Sequence, residues 1–176
     1  VTHTGDEGNG SLRWAIEKAN EQAGPDTILF ELSDSDVGFN GRVWTISPRT
    51  LLPVLTDSGT VIDGRSQTDF AGDTNVHGPE VMLRGSGLVN GRYGLKIEST
   101  RNTVSGLIIS GFQRYGLYLF SEKAGYNLIF GNYIGTTPDG SDTLSNHIGI
   151  FSEGSSHNVF GGSSESQRNL ISGNGD

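Results

Sequence analysis

An all-β fold, a β-solenoid of short stacked strands entered through one amphipathic helix, is predicted by three features of this 176-residue sequence: its glycine content, its single helical segment and an internal repeat. There are 27 glycines, no cysteine, one methionine and 33% apolar side chains. Glycine thus stands in for bulky apolar residues, which suits many tight turns and a thin interior better than a helix bundle. The length fits one domain over residues 1–176. Within it the sequence reads as a cap helix and first strand (1–30), irregular early rungs (31–90) and regular rungs (91–176).

The helix is expected from Ser11 to about Gln22. Leu12, Ala15, Ile16 and Ala19 share one face at helical spacing, with Glu17, Lys18 and Glu21 opposite. Asn9 or Ser11 can cap its start, and Gly24-Pro25 stops it. Short β-rich runs follow: Asp26–Phe30, Val43–Ile46, Val54-Leu55, Thr60–Gly64 and Val81–Gly85. Runs of three to five residues punctuated by glycine suit coiled β architectures, in which each rung is short.

The repeat occupies the second half. Gly94–Ile97 is followed by Asn102–Ile109, Gly116–Leu119 by Asn127–Gly135, and Gly149–Phe151 by Asn158–Gly162, with Asn169–Asn174 closing the series. The unit reads as a Gly-led strand, a polar turn, an Asn-led strand and a Gly turn, with a period of about 22 to 25 residues that lengthens where Thr136–Asn146 intervenes. Such a unit cannot bury its own apolar face, so neighbours must stack. Asn102, Asn127 and Asn158 are expected to form a structural ladder, since asparagine tolerates left-handed backbone angles and its amide can bond the equivalent amide one rung away. Gly94, Gly106, Gly116, Gly131, Gly149, Gly161 and Gly173 are expected at rung corners.

The opening Thr4–Ile16, with Ala19-Asn20 and Asp26–Phe30, resembles the "GSLR-x-AI…AN…DTI-x-F" entry segment of bacterial right-handed parallel β-helix proteins of the pectate-lyase-like superfamily. Asn132–Thr136, Gly161-Gly162 and Arg168–Asn174 resemble rung motifs of the same family. The resemblance implies a right-handed parallel β-helix with an N-terminal capping helix, and secretion or display at a bacterial cell surface, often within a larger protein. A first rung exposes its apolar interior and strand edges, so residues 11–22 have a physical reason to cover it. Val1 is not an initiator methionine, and Asn169–Asp176 stops within a rung motif. A longer natural chain is expected, or self-association end to end or through strand edges.

Composition excludes several functions. A formal charge of −8 with no basic run argues against nucleic-acid binding, and no apolar stretch approaches the roughly 20 residues of a membrane-spanning helix. Without cysteine there is no disulfide scaffold and no thiol nucleophile.

The resemblance covers enzymes and binding proteins alike. Hydrolases of the superfamily would show an Asp-Asp pair and a Gly-His-Gly turn, and this sequence has neither. A lyase would bind Ca²⁺ through carboxylates and remove a proton with Arg or Lys. Asp63, Asp69, Asp73 and Glu80 are the candidate carboxylates, with Arg65, Arg84 or Arg92 as base or clamp, and Asp63, Arg65 and Arg84 are the catalytic candidates kept. Asp63-Gly64 is equally explained as a strand-ending turn.

The lengthened turn Thr136–Asp142 offers Asp139, Ser141 and Asp142 as oxygen ligands for Ca²⁺, the one cofactor these residues suggest, although a plain Pro-Asp-Gly turn accounts for it too. His147 and His157 lie near Glu153 without a further metal ligand. Tyr93, Tyr115, Tyr118, Phe120, Tyr126, Tyr133 and Phe151 crowd the repeat half. Aromatic faces on a flat β surface stack on sugars, so Tyr115, Tyr118 and Tyr133 are the ligand-binding candidates, and strict alternation puts only one of Tyr115 and Tyr118 outside. The expected function is a secreted or cell-surface module, carbohydrate-binding or adhesive and part of a larger protein, presenting an elongated face to a polysaccharide, surface glycan or protein. The alternative is the N-terminal portion of a polysaccharide lyase or epimerase.

Overall fold

The computed structural model describes residues 1–88 and 92–175. Helix α1 spans Leu12–Glu21, and Ser11 caps it by accepting from Trp14 N at 3.1 Å. Its Leu12, Ile16 and Ala19 are buried against the core, so the apolar stripe is what docks it. Two polar side chains fasten the helix further. Arg13 donates to Asp6 and to the carbonyls of Thr50 and Leu51, and Asn20 bridges Val54 O and the amides of Thr56 and Asp57.

The strands form three sheets in which every pairing between them is parallel. The first sheet orders β1 (Thr27–Leu29), β3 (Val61–Asp63), β6 (Thr103–Ser105), β9 (Leu128–Phe130) and β12 (Val159–Phe160). The second orders β2 (Trp44–Ile46), β4 (Val81–Arg84), β7 (Leu107–Ser110), β10 (Tyr133–Ile134) and β13 (Leu170–Ile171). The third orders β5 (Tyr93–Ile97), β8 (Tyr115–Phe120) and β11 (Ile148–Glu153), and Leu55 adds an isolated parallel bridge to Ile97. The chain passes from first to second to third sheet and begins again, which is compatible with a parallel β-solenoid. Ile62, Val104, Ile129, Leu83, Ile109, Leu117 and Leu119 contribute to the larger buried apolar cluster, beside which Val43, Met82 and Ile108 form a smaller one.

Three readings of the sequence need correction. The run Asn102–Ile109 is two strands, β6 and β7, bent at Gly106 with φ +66°, and Gly131 at φ +65° repeats the bend between β9 and β10. A full turn therefore carries three strands, since a corner hides inside what reads as one apolar run. Gly94, Gly116 and Gly149 lie within strands, not at corners. A Cβ on Gly94 would stand 2.6 Å from Gly116 O, and one on Gly116 2.7 Å from Gly149 O, so these glycines let rungs approach. The short period is also local. Asn102 and Asn127 are 25 residues apart, but Asn127 and Asn158 are separated by 31 and Asn132 and Asn169 by 37, because loops lengthen most turns.

One insertion includes a second helix, α2 (Ser66–Ala71), which sequence periodicity does not reveal. Its buried Gln67 accepts from Leu32 N at 2.8 Å and donates to Leu32 O at 2.9 Å, completing an otherwise unpaired backbone. Trp44 is fully buried, stacks on Phe39 at 4.2 Å and donates its indole N–H to Ser33 O.

Candidate functional site

The third sheet carries an aromatic platform. Register aligns Tyr93 with Tyr115 and Ile148, and Lys96 with Tyr118 and Phe151. The ring centroids of Tyr115 and Tyr118 lie 4.8 Å apart, Tyr115 stacks on Phe151 at 4.7 Å, and Tyr118 lies 5.4 Å from Phe120 and 6.3 Å from Tyr93. Strict alternation would separate Tyr115 from Tyr118. Tyr115 opens β8 in register with Tyr93 and Ile148, and of the two β8 tyrosines it is the covered one, as expected, although its tilted ring still touches Tyr118. Tyr115 is 6% exposed and supports the patch from beneath, while Tyr93, Tyr118, Phe120 and Phe151 are half-buried.

Cations border these rings. Lys96 Nζ lies 4.5 Å from the Phe120 centroid and 5.2 Å from that of Tyr118, and it pairs with Glu98. The Arg114 guanidinium sits 4.8 Å above Tyr115. Tyr118 Oη donates to Glu153 Oε2 at 2.8 Å. Burial and that carboxylate together push the phenol up to about 12, so it remains neutral at physiological pH. The platform therefore offers apolar ring faces, cationic edges and carboxylate acceptors on one surface.

Tyr133 lies elsewhere. It lines a groove of about 580 Å³ at the corner between the first and second sheets, with Arg65, Asp73, Glu80 and Arg168 also on its walls. Its hydroxyl donates to His77 O. Glu80 is 3% exposed and accepts from Thr68 Oγ1 at 2.8 Å, and burial pushes its carboxyl up in spite of that bond.

Asp63 and Arg65 form a two-pronged pair at 2.8 and 3.0 Å, with Ser105 Oγ also donating to Asp63. Burial pushes the Asp63 carboxyl up, but the bonds from Arg65 and Ser105 outweigh it and hold the group below its ordinary value. The Arg65 guanidinium lies 4.9 Å from the Phe130 ring centroid. Both Asp63 oxygens are thus engaged in this ion pair. Arg84 and Arg92 are exposed, and Arg84 aligns with Ser110 on the second sheet.

Asp139, Ser141 and Asp142 shape a hairpin between β10 and β11. Asp139 Oδ1 accepts from Thr137 Oγ1, Ser141 N and Ser141 Oγ, and Arg42 approaches Oδ2 at 3.4 Å. Hydrogen bonds from Thr137 and Ser141 hold this carboxyl well below the usual carboxylate range. Asp142 Oδ1 accepts from Thr143 N. These bonds are those of a turn. Among the described residues, no three His, Asp or Glu side chains gather as a metal-binding group. His157 stacks on Tyr126 at 4.6 Å, while Glu153 is engaged by Tyr118.

Among the described residues, three asparagine columns stand at the corners. In the first, Asn102 Nδ2 donates to Asn127 Oδ1 at 3.0 Å and Asn127 Nδ2 to Asn158 Oδ1 at 3.1 Å, with the backbone amides of Asn102 and Asn127 donating to the same oxygens. Asn132 and Asn169 form a second column, and Asn146 and Asn174 a third. Sequence reasoning missed the last two. The signal was an asparagine just ahead of Tyr133-Ile134, Leu170-Ile171 and Ile148–Ile150, the same pattern that marks the first column.

Neither models of known protein families nor curated proteins match this chain. The site's own chemistry is the basis for a functional reading.

Proposed function

We propose that the chain is a right-handed parallel β-helix of the pectate-lyase-like kind, secreted or displayed on a bacterial cell surface as part of a larger protein, and that it binds carbohydrate on its third sheet. Parallel strands visited cyclically support the fold reading, and crossovers between parallel strands are right-handed in about 98% of cases. The entry motif Gly10–Ile16 supports the family and its location. One observation carries the function: Tyr93, Tyr118, Phe120 and Phe151 form a partly exposed platform edged by Lys96 and Arg114. Sugar rings present apolar C–H faces that stack on such surfaces, while their hydroxyl and carboxylate groups find acceptors and cations at the edge.

Affinity electrophoresis against pectin, alginate and a neutral β-glucan tests this. Retention by at least one glycan, weakened about tenfold or more by Tyr118→Ala and unaffected by Tyr126→Ala, is the expected result. Equal mobility in every glycan gel sinks the reading.

The groove at the first corner favours a second reading, a portion of a polysaccharide lyase or epimerase. It brings the raised carboxyl of Glu80 together with Asp73, Arg65 and Tyr133, and a perturbed group in a cleft marks a candidate acid or base. Ultraviolet-absorbing unsaturated product from polygalacturonate or alginate, lost in Glu80→Gln, would establish it.

A further inference from the structure

The first asparagine column changes chemistry as it approaches α1. Val159 N donates to Asn127 O, Leu128 N to Asn102 O, Thr103 N to Thr60 O and Val61 N to Asp26 O, all at 2.8 to 2.9 Å. Asp26, Thr60, Asn102, Asn127 and Asn158 therefore hold one equivalent position in five successive turns. A second position accompanies it three residues earlier. Ser99 Oγ accepts from Asn102 Nδ2 at 2.8 Å, and Ser155 Oγ accepts from Asn158 Nδ2 at 3.1 Å. For Thr60 the corresponding residue is Asp57, whose amide donates to Asn20 Oδ1 at the end of α1.

Replacing asparagine by threonine removes the NH₂ donor that the later turns supply here. Carboxylates take the neighbouring places, so only oxygens remain. Thr60 is 0% exposed and its Oγ1 has no hydrogen-bond partner; Asp57 Oδ2 and Asp26 Oδ2 are also buried and unpartnered. These are the column's position and its companion, and in the turns of Asn102 and Asn158 that pair is bridged by an amide proton. A threonine hydroxyl carries one proton and can satisfy one carboxylate oxygen, which leaves the other charge unmatched. Burying an unpaired carboxylate oxygen is costly, and an all-oxygen set bearing two negative charges matches a hard divalent cation.

We propose that Asp26, Asp57 and Thr60 bind one Ca²⁺ beside the end of α1, where the ion does the work that asparagine amides do in later turns. The site is separate from the aromatic platform and from the Asp139 hairpin, and it ties the entry helix to the first two turns. A ligand that binds only the folded chain raises its stability by mass action.

The test is thermal unfolding and titration calorimetry of the full chain after EDTA treatment and dialysis, with CaCl₂ added to millimolar concentration. The expected result is one Ca²⁺ per chain and a rise in Tm of about 3 °C or more. Asp57→Asn removes the response. Thr60→Asn restores the column's amide, so it abolishes the Ca²⁺ response while melting without Ca²⁺ at or above the wild-type temperature. Asp139→Asn keeps the response. The proposal is overturned by a wild-type Tm indifferent to Ca²⁺, by a response that survives in Asp57→Asn or Thr60→Asn or disappears in Asp139→Asn, or by a Thr60→Asn chain that melts below wild type without Ca²⁺.

Discussion

Tyr118 on β8 donates its phenolic proton to Glu153 on β11 at 2.8 Å, joining adjacent rungs at the surface of the aromatic platform. The phenol is raised to about 12, so the folded chain keeps this proton where an unfolded tyrosine has begun to lose it. The unfolded state then binds fewer protons, and stability falls as pH rises between about 10 and 12. Tyr118→Phe should flatten that part of the profile. A urea series across alkaline pH showing the same slope in both proteins would refute the assignment.

The Asp63 carboxyl has the opposite sign. Its folded value lies below the ordinary one, so its contribution is complete above the unfolded pKa and is lost as pH falls through the depressed value. Asp63→Asn should cost about 1 kcal/mol at neutral pH, a modest amount because Arg65 is half-exposed. The cost should shrink towards zero in acid. Denaturation midpoints at neutral and acid pH decide this.

Asn127 sits mid-column, accepting two bonds from Asn102 and donating to Ser99 O and Asn158 Oδ1. Asn127→Ala strands several buried partners and should destabilise by about 2 to 4 kcal/mol. Asn127→Asp keeps the acceptors but discards both donors, so it should be nearly as harmful. Urea unfolding of the two variants beside wild type measures both, and a loss under 1 kcal/mol in either would show that the column is ornamental.

Glycines should divide by mechanism. A Cβ at Gly116 meets Gly149 O at 2.7 Å, whereas at Gly111, with φ +79°, the nearest atom is 3.6 Å away. Gly111→Ala should therefore cost about 1 kcal/mol of backbone strain. Gly116→Ala must push rungs apart and should cost more than about 2 kcal/mol. Equal thermal shifts in the two variants would contradict the distinction.

The stacking of short strands was legible because Asn102, Asn127 and Asn158 each precede the same apolar pattern, and α1 because its apolar residues fall on one face. Corners were less legible. Gly106 and Gly131 interrupt runs that are apolar on both sides, so a sharp bend looks like a continuous strand. The platform was half visible: aromatic crowding in the repeat half pointed to Tyr115 and Tyr118, and alternation to one of them being covered, but Tyr133 belongs to another sheet. Lys96 and Arg114 carried no sequence signal, since a cation above a ring depends on register between distant rungs. The groove depends on α2 and the loop after it, whose residues lack helical periodicity and take their shape from contacts such as Gln67 with Leu32.

The asparagine columns also give the molecule a direction. The backbone amides of Asn102, Asn127, Asn132 and Asn146 each donate to an asparagine one turn later, so each of these turns is held by the one after it. A lesion in one turn then reaches backwards: losing the Asn158 side chain frees the amide of Asn127 on the turn before it. Deuterium uptake in Asn158→Ala should therefore rise at Asn127 and stay low at Asn132, whose acceptor is Asn169 on a neighbouring column.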